Sequence, residues 1–151
     1  MGNSRKLSAS CIVIKDEKVL LVKHTYGAAK GKYLIPGGFS EEDEMPQITA
    51  EREVLEETHV VAKMDAMLGI RCGRNGWYAL LLMDYVEGEP MSDGNENSEA
   101  LFMKVNEALE REDVTHMTKV ALKAMLSEDK KLLYSDEEYK KVKENKFTLF
   151  I

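Results

Sequence analysis

The chain has little cysteine, little proline and no long apolar run. Among its 151 residues are two cysteines and three prolines. Two thiols, Cys11 and Cys72, are too few for a disulfide framework or a four-cysteine zinc site. Both lie in apolar, strand-like stretches, so both are expected to be reduced and buried, with a single disulfide the less favoured alternative. No apolar run approaches the ~20 residues that a membrane-spanning helix needs. No secretory leader opens the sequence, and Lys6 stands where a myristoylation signal beginning at Gly2 wants Ser or Thr. A cytoplasmic protein without a membrane partner is the expectation. Positive charge is also in deficit: 21 Lys and Arg against 27 Asp and Glu leave a net charge of −6. That balance argues against a nucleic-acid duplex as partner. The acidity is uneven, because residues 119–151 carry a slight basic excess and the chain before them holds the acid.

What is present suits one globular domain. The hydrophobic share of 44% is ordinary, and 151 residues suffice for a real core. Strands are predicted at Leu7–Ile14 and Val19–His24, joined as a hairpin by the charged turn at 15–18. Tyr33–Ile35 predicts a short strand leading into a loop at Pro36-Gly37-Gly38. Val60–Cys72 reads as a long extended segment, and Gly73-Arg74-Asn75-Gly76 as a turn. Trp77–Val86 is apolar throughout, which predicts a strand buried on both faces. After a polar loop at 88–98, Ala100–Val105 predicts a further strand. Asn106 is placed to cap a short helix carrying Ala108 and Leu109, and Thr115 to cap another whose Met117, Val120, Ala121, Ala124 and Met125 recur at helical spacing. Ser135 and Glu138 suggest a capping box for a last helix, before an apolar tail at 147–151. Strands and helices mixed in this order predict an α/β protein with helices packed on a central mixed sheet.

The stretch from Gly38 to Val60, GFSEEDEMPQITAEREVLEETHV, is the most informative. Pro46 suits a first helical position, so Pro46–Thr58 is predicted as a helix. Residues three and four apart share a helix face, which puts Glu53, Glu56 and Glu57 on one side as a wall of carboxylates. Ala50, Val54, Leu55 and Ile48 are left to turn toward a core. Like charges at that spacing each cost a few tenths of a kcal/mol. A hard dication reverses the sign, because Mg²⁺ and Mn²⁺ take carboxylate oxygens together with substrate phosphates. Gly37 and Gly38 just ahead permit close approach of backbone to a ligand.

The spacing resembles the Nudix box, G-x5-E-x7-R-E-U-x-E-E-x-G-U, with U an aliphatic residue. Gly38, Glu44, Arg52, Glu53, Val54, Glu56, Glu57 and Val60 all fall on it. His59 departs, standing where the family has glycine. That glycine ends the helix in a left-handed conformation, which histidine adopts at some cost. The resemblance covers about residues 7–126 and implies a Nudix-type α/β/α sandwich, with 1–126 as the hydrolase domain and 127–151 as an extension packed on it.

It also implies Mg²⁺-dependent, or alternatively Mn²⁺-dependent, hydrolysis of a phosphoanhydride in a small molecule, a nucleoside diphosphate linked to another group. Glu56 and Glu57 are then the primary metal ligands, Glu53 a further ligand or the base, and Arg52 an orienter paired with a neighbouring glutamate. Glu44 contributes through water or by favouring the helix N-terminus. A further carboxylate is expected from outside the box, with Glu96 as a metal ligand and Glu99 as a catalytic group. The same stretch imitates a calcium loop at Asp93, Asn95 and Asn97, but Ser98 and Lys104 replace the glycine and glutamate such a loop needs. Gly37, Gly38, Arg71 and Tyr78 are the substrate-binding candidates. Members cleaving ADP-ribose tend to carry a proline where this chain has Asn75, and members cleaving diadenosine polyphosphates a tyrosine near Tyr78. The alternative is a catalytically silent Nudix-fold nucleotide-binding regulator. Such modules lose box glutamates, and this chain keeps them. A monomer or homodimer is expected.

Overall fold

The computed structural model describes residues 5–151. Strands β1 (Lys6–Lys15) and β2 (Lys18–His24) form the expected hairpin. Asp16 and Glu17 both take positive φ in its turn, the twist that a two-residue hairpin favours. The β1–β2 pairing covers Ile14↔Val19 and Lys15↔Lys18. Further along, β1 pairs instead with β4 (Gly37–Phe39), while β2 pairs with β3 (Tyr33–Leu34) and β7 (Asn97–Lys104). Strand β5 (Val61–Cys72) returns antiparallel as β6 (Gly76–Glu87), and β6 lies parallel to β1. The result is one mixed sheet in the order β3-β2-β1-β6-β5, with β4 and β7 branching from it.

Period-two alternation along β1 supplies both faces of this sheet. Ala9, Cys11 and Val13 point to one core, shared with Ala50 and Val54 of helix α1 (Pro46–Thr58). Ile12 points to the other, shared with Ala108 of α2 (Val105–Glu110) and with Ala121 and Leu122 of α3 (His116–Leu126). Helices on both faces of a mixed sheet make the α/β/α sandwich.

Several local expectations need correcting. Gly37–Phe39 is a strand rather than a loop, because β1 offers an edge to it over Ser8–Ser10. Leu55 and Ile48 are about half exposed, whereas Glu57 and Thr58 are buried. The buried stripe of α1 therefore runs through Ala50, Val54 and Glu57, and the three box glutamates do not share one solvent-facing wall. Cys11 is buried, but Cys72 at the β5 end is exposed; both thiols are free. Trp77 and Val86 at the ends of β6 are exposed, since the covering helices do not reach them. Asn106 lies inside α2, whose N-cap position is Lys104. Thr115 does cap α3, its side chain accepting from the Thr118 N–H. Val120 on that helix is exposed and Leu122 takes the buried place. The last helix, α4 (Glu137–Val142), is capped by Asp136, not Ser135; the Asp136 carboxylate accepts from the Tyr139 N–H at 2.7 Å.

Residues 127–151 fold back on the domain. Leu133 exchanges backbone hydrogen bonds with Met67 of β5, at 2.8 and 3.0 Å. Phe150 packs on the core beneath α1, and Gln47 donates to the Thr148 hydroxyl at 2.9 Å.

Candidate active site

Helix α1 and strand β4 build the centre of the site together. Gly38 lies so close to the Glu53 carboxylate that a Cβ there would overlap its oxygens. Gly37 is confined in the same way by the Ala9 carbonyl on β1. A side chain at Gly37 would run into backbone, and one at Gly38 would displace the Glu53 carboxylate from beneath the strand.

Arg52 organises the N-terminal half of the acidic face. Its Nε and Nη2 grip Glu44 in a fork, at 2.6 and 2.9 Å. Its Nη1 reaches Glu53 at 2.9 Å and Glu56 at 3.1 Å, and Nη2 also donates to the Phe39 carbonyl at 3.0 Å. One guanidinium thus ties β4, the lead-in loop and two box glutamates. These bonds pull the Glu44 carboxyl down to a pKa of about 2 and push Arg52 further up. Glu53 is shifted the other way, because burial outweighs its bond to Arg52.

Glu57 has no such help. It is 3% exposed, and the contact it receives is the Gly37 N–H, 3.3 Å from Oε1. No lysine or arginine pairs with it among the described residues. Burial raises its pKa to about 9, and the charges of Glu53, Glu96 and Asp93 add to the rise. A buried carboxylate without a cation is costly. Oxygen-only donors beside it, in Glu53, Glu56 and Glu96, are the kind that suit Mg²⁺ or Mn²⁺. Among the described residues, no three acidic, histidine or cysteine side chains yet converge as a finished cage. Arg52 holds Glu53 and Glu56, and Glu56 stays exposed. The donor chemistry nevertheless fits a dication, with Glu57 as the orphaned group that needs one.

The two carboxylates expected from outside the box part company. Glu96, exposed at the end of the loop before β7, adds its charge to the rise in both the Glu53 and the Glu57 pKa. Glu99, on β7 opposite Lys23, accepts from the Tyr33 hydroxyl at 2.7 Å and pairs with the Lys23 ammonium at 3.6 Å. Burial and that bond together push the Tyr33 phenol up to about 12. One Glu99 oxygen is thus engaged by Tyr33 and the other by Lys23.

A cavity of about 560 Å³ opens above β4 on the side of α3. Gly37, Gly38, Arg71 and Tyr78 all line it, so the four substrate-binding candidates come together. The Arg71 guanidinium stacks over the Tyr78 ring at 5.0 Å. Across the cavity, His24 and Tyr26 stack at 5.1 Å with their planes 16° apart. Burial lowers the His24 pKa, against the pull of Glu96 and Asp93. The sequence did not single out His24, Ser10 or Thr118 for this wall. Ser10 and Thr118 sit in segments read only as strand and helix, and nothing local marks them as cavity-lining.

Comparison with known proteins bears on the family and the fold. A NUDIX domain model matches residues 4–123. A curated ADP-ribose pyrophosphatase of Methanocaldococcus jannaschii is 32% identical over 100 residues, 63% of this chain and 59% of that protein. The chain thus spans less than two thirds of that relative. A NUDIX hydrolase crystal structure from Nitrosomonas europaea superposes with a TM-score of 0.70 at 24% identity, covering 79% of this chain and 68% of that one. An ADP-ribose pyrophosphatase from Streptococcus suis superposes at 0.65 with 19% identity, covering 83% and 95%.

Proposed function

The chain belongs to the Nudix family, and on that premise we propose that it is a Mg²⁺-dependent pyrophosphohydrolase, with Mn²⁺ as an alternative metal. Its substrate is a nucleoside diphosphate linked to another group, and ADP-ribose is the first compound to test, because two similar proteins bear that activity in their names. Asn75, in place of the proline that ADP-ribose-cleaving members tend to carry, keeps other diphosphate-linked nucleosides in the panel. We place the protein in the cytoplasm, as a monomer or homodimer; no described helix is long and apolar enough to cross a membrane.

One observation carries the reading: the buried, cation-less Glu57 lies directly under the Gly37–Gly38 floor of the cavity. Glu53, Glu56 and Glu57, with Glu96 from the neighbouring loop, would hold the metal, which when bound supplies charge neutralisation of the diphosphate and a more acidic water. The chain's own groups do the rest. Gly37 and Gly38 let the diphosphate approach backbone without side-chain obstruction. Arg52 orients Glu53 and Glu56 and keeps their carboxylates from splaying. Glu53, raised in pKa yet still held by Arg52, is the group assigned to take a proton from the attacking water when it is not itself a ligand. Arg71 with Tyr78, and His24 with Tyr26, offer flat faces to the substrate's ends. Glu96 is assigned as the outer carboxylate ahead of Glu99, whose oxygens are engaged by Tyr33 and Lys23.

The test is a Mg²⁺ assay against ADP-ribose, nucleoside diphosphate sugars and dinucleoside polyphosphates, repeated with Glu57→Gln. Release of a nucleoside monophosphate by the wild type, lost in a variant that still folds, is the expected result. Metal-dependent binding without release on every substrate would favour the silent regulator.

A further inference from the structure

The last turn of α1 ends in carbonyls that need partners from outside the helix. His59 turns left-handed with φ 61° and gives its N–H to Leu55 at 2.9 Å. The next partners come from far along the chain. Met91 donates its N–H to the Thr58 carbonyl at 2.9 Å. Asn97 donates its side-chain amide to the Glu57 carbonyl at 2.8 Å. The polar loop at 91–97 therefore caps the very turn that carries Glu57.

Asn97 is also the loop's internal knot. It is 1% exposed, although amides are usually found at the surface. Its Oδ1 accepts from the Asp93 N–H at 3.3 Å, and its own N–H donates to the Asp93 carboxylate at 3.1 Å. Ser92 donates its hydroxyl to the Asn97 carbonyl at 2.7 Å. On the other side of the loop, Thr25, just past the end of β2, donates its N–H to the Glu96 carbonyl at 3.0 Å, and its hydroxyl proton lies between the Asn95 and Glu96 carbonyls, at 2.8 and 3.0 Å. Glu96 is thus clamped between two anchors, one on β2 and one on the box helix.

We propose that Asn97 is a positioning residue: by tying the loop to the Glu57 carbonyl it holds the Glu96 backbone beside the box helix, from where Glu96 can join Glu53 and Glu57 in closing on a metal. The inference rests on the metal-dependent reading above and adds a residue outside the box to it. Its physical logic is that of outer-shell partners elsewhere, which fix the orientation of a ligand and whose loss typically weakens metal binding by about 10–100-fold. Among the described residues the exposed Glu96 side chain has no hydrogen bond to hold it, so its place is inherited from the backbone on either side.

A double-mutant cycle on the full chain, read by free Mn²⁺ in electron paramagnetic resonance, tests this. Asn97→Ala is expected to weaken Mn²⁺ binding about tenfold at a temperature well below its melting point. In a Glu96→Gln background the same change is expected to do little more, because the carboxylate it positions is gone. Thr25→Val, at an exposed site, is expected to act in the same direction and more weakly, and it decides the matter should Asn97→Ala not fold. Equal losses in both backgrounds, or unchanged affinity in every variant, would overturn the proposal; so would a wild type that binds no Mn²⁺. A wild type that binds Mn²⁺ but cleaves no substrate would overturn the hydrolase reading alone.

Discussion

Glu44 and Glu57 stand near opposite ends of the same motif, and their surroundings are opposite in kind. Glu44 sits in a fork of Arg52, accepts further bonds from the Glu41 N–H and the Thr49 hydroxyl, and is held ionised. Glu57 is more deeply buried, with one long backbone bond and neighbours of its own sign. Charge at the first end is satisfied within the protein, which is what a structural strut requires. At the second end no cation among the described residues favours the ionised carboxylate, which is the setting a binding site provides. Two glutamates that look alike in the sequence thus sit in opposite electrostatic surroundings.

The largest expected effect breaks the second end. Glu57→Gln should lower turnover by roughly three orders of magnitude, within the range for removing a group that acts at the reacting centre. The metal-free variant should melt no lower than the wild type, and above neutral pH it should melt higher, because an amide does not have to be held protonated against the ionised unfolded state. Steady-state kinetics and thermal melts on the same samples check both halves. A large loss of stability instead would make Glu57 a strut like Glu44.

Breaking the first end should act on folding. The Arg52 and Glu44 side chains are 20% and 12% exposed, so removing one strands the other in a poorly solvated place. Arg52→Ala is expected to cost about 3 kcal/mol, the low end for a lost buried partner. Urea unfolding measures it. Turnover of the remaining folded protein should fall as well, since Glu53 and Glu56 lose their common tether.

The pH dependence sharpens the same contrast. Glu57 keeps its proton in the folded chain up to a pKa of about 9, whereas the unfolded chain gives it up near the usual carboxyl range. Between those limits the unfolded state binds fewer protons, so stability of the metal-free protein falls as pH rises. Glu44 runs the other way: its folded pKa of about 2 means that its contribution is complete above the usual range and is lost as pH falls toward 2. Melting without metal should therefore peak in mildly acidic solution. Added Mg²⁺ or Mn²⁺ should raise the melting point most on the alkaline side, and in Glu57→Gln the alkaline slope should flatten.

How much of this was legible beforehand follows from what periodicity can carry. The span of α1, the hairpin and the long β5–β6 pair all follow from local pattern and turn chemistry. The box spacing identified the glutamates but not their division of labour, because that depends on what lies over the helix. Leu55 projects where nothing covers it, and Glu57 projects under β4, so the apolar residue is exposed and the acidic one buried. Helical spacing specifies faces without saying which face meets the sheet. The sequence offered no sign that Glu99 and Glu96 have different neighbours; only the register of β7 against β2 sets Glu99 opposite Lys23 and within reach of Tyr33. Asn97 was visible only as part of a failed calcium loop, since its partner on α1 is forty positions away.

The smallest effect concerns the helix end between these regions. His59 occupies the left-handed position that the family gives to glycine, and its φ of 61° is strained for a residue with a Cβ. Relief of that strain by His59→Gly is worth roughly 1–2 kcal/mol. The added freedom of the unfolded chain takes back about 0.4–1 kcal/mol. A net gain between about 0 and 1.6 kcal/mol should remain, seen as a small rise in melting temperature. The Leu55, Glu57 and Thr58 carbonyls keep their partners in this variant, so the carboxylates stay where they are and turnover should match the wild type. A fall in turnover would instead give the imidazole a place in the site, and the histidine would then be an adaptation of this chain rather than a tolerated strain.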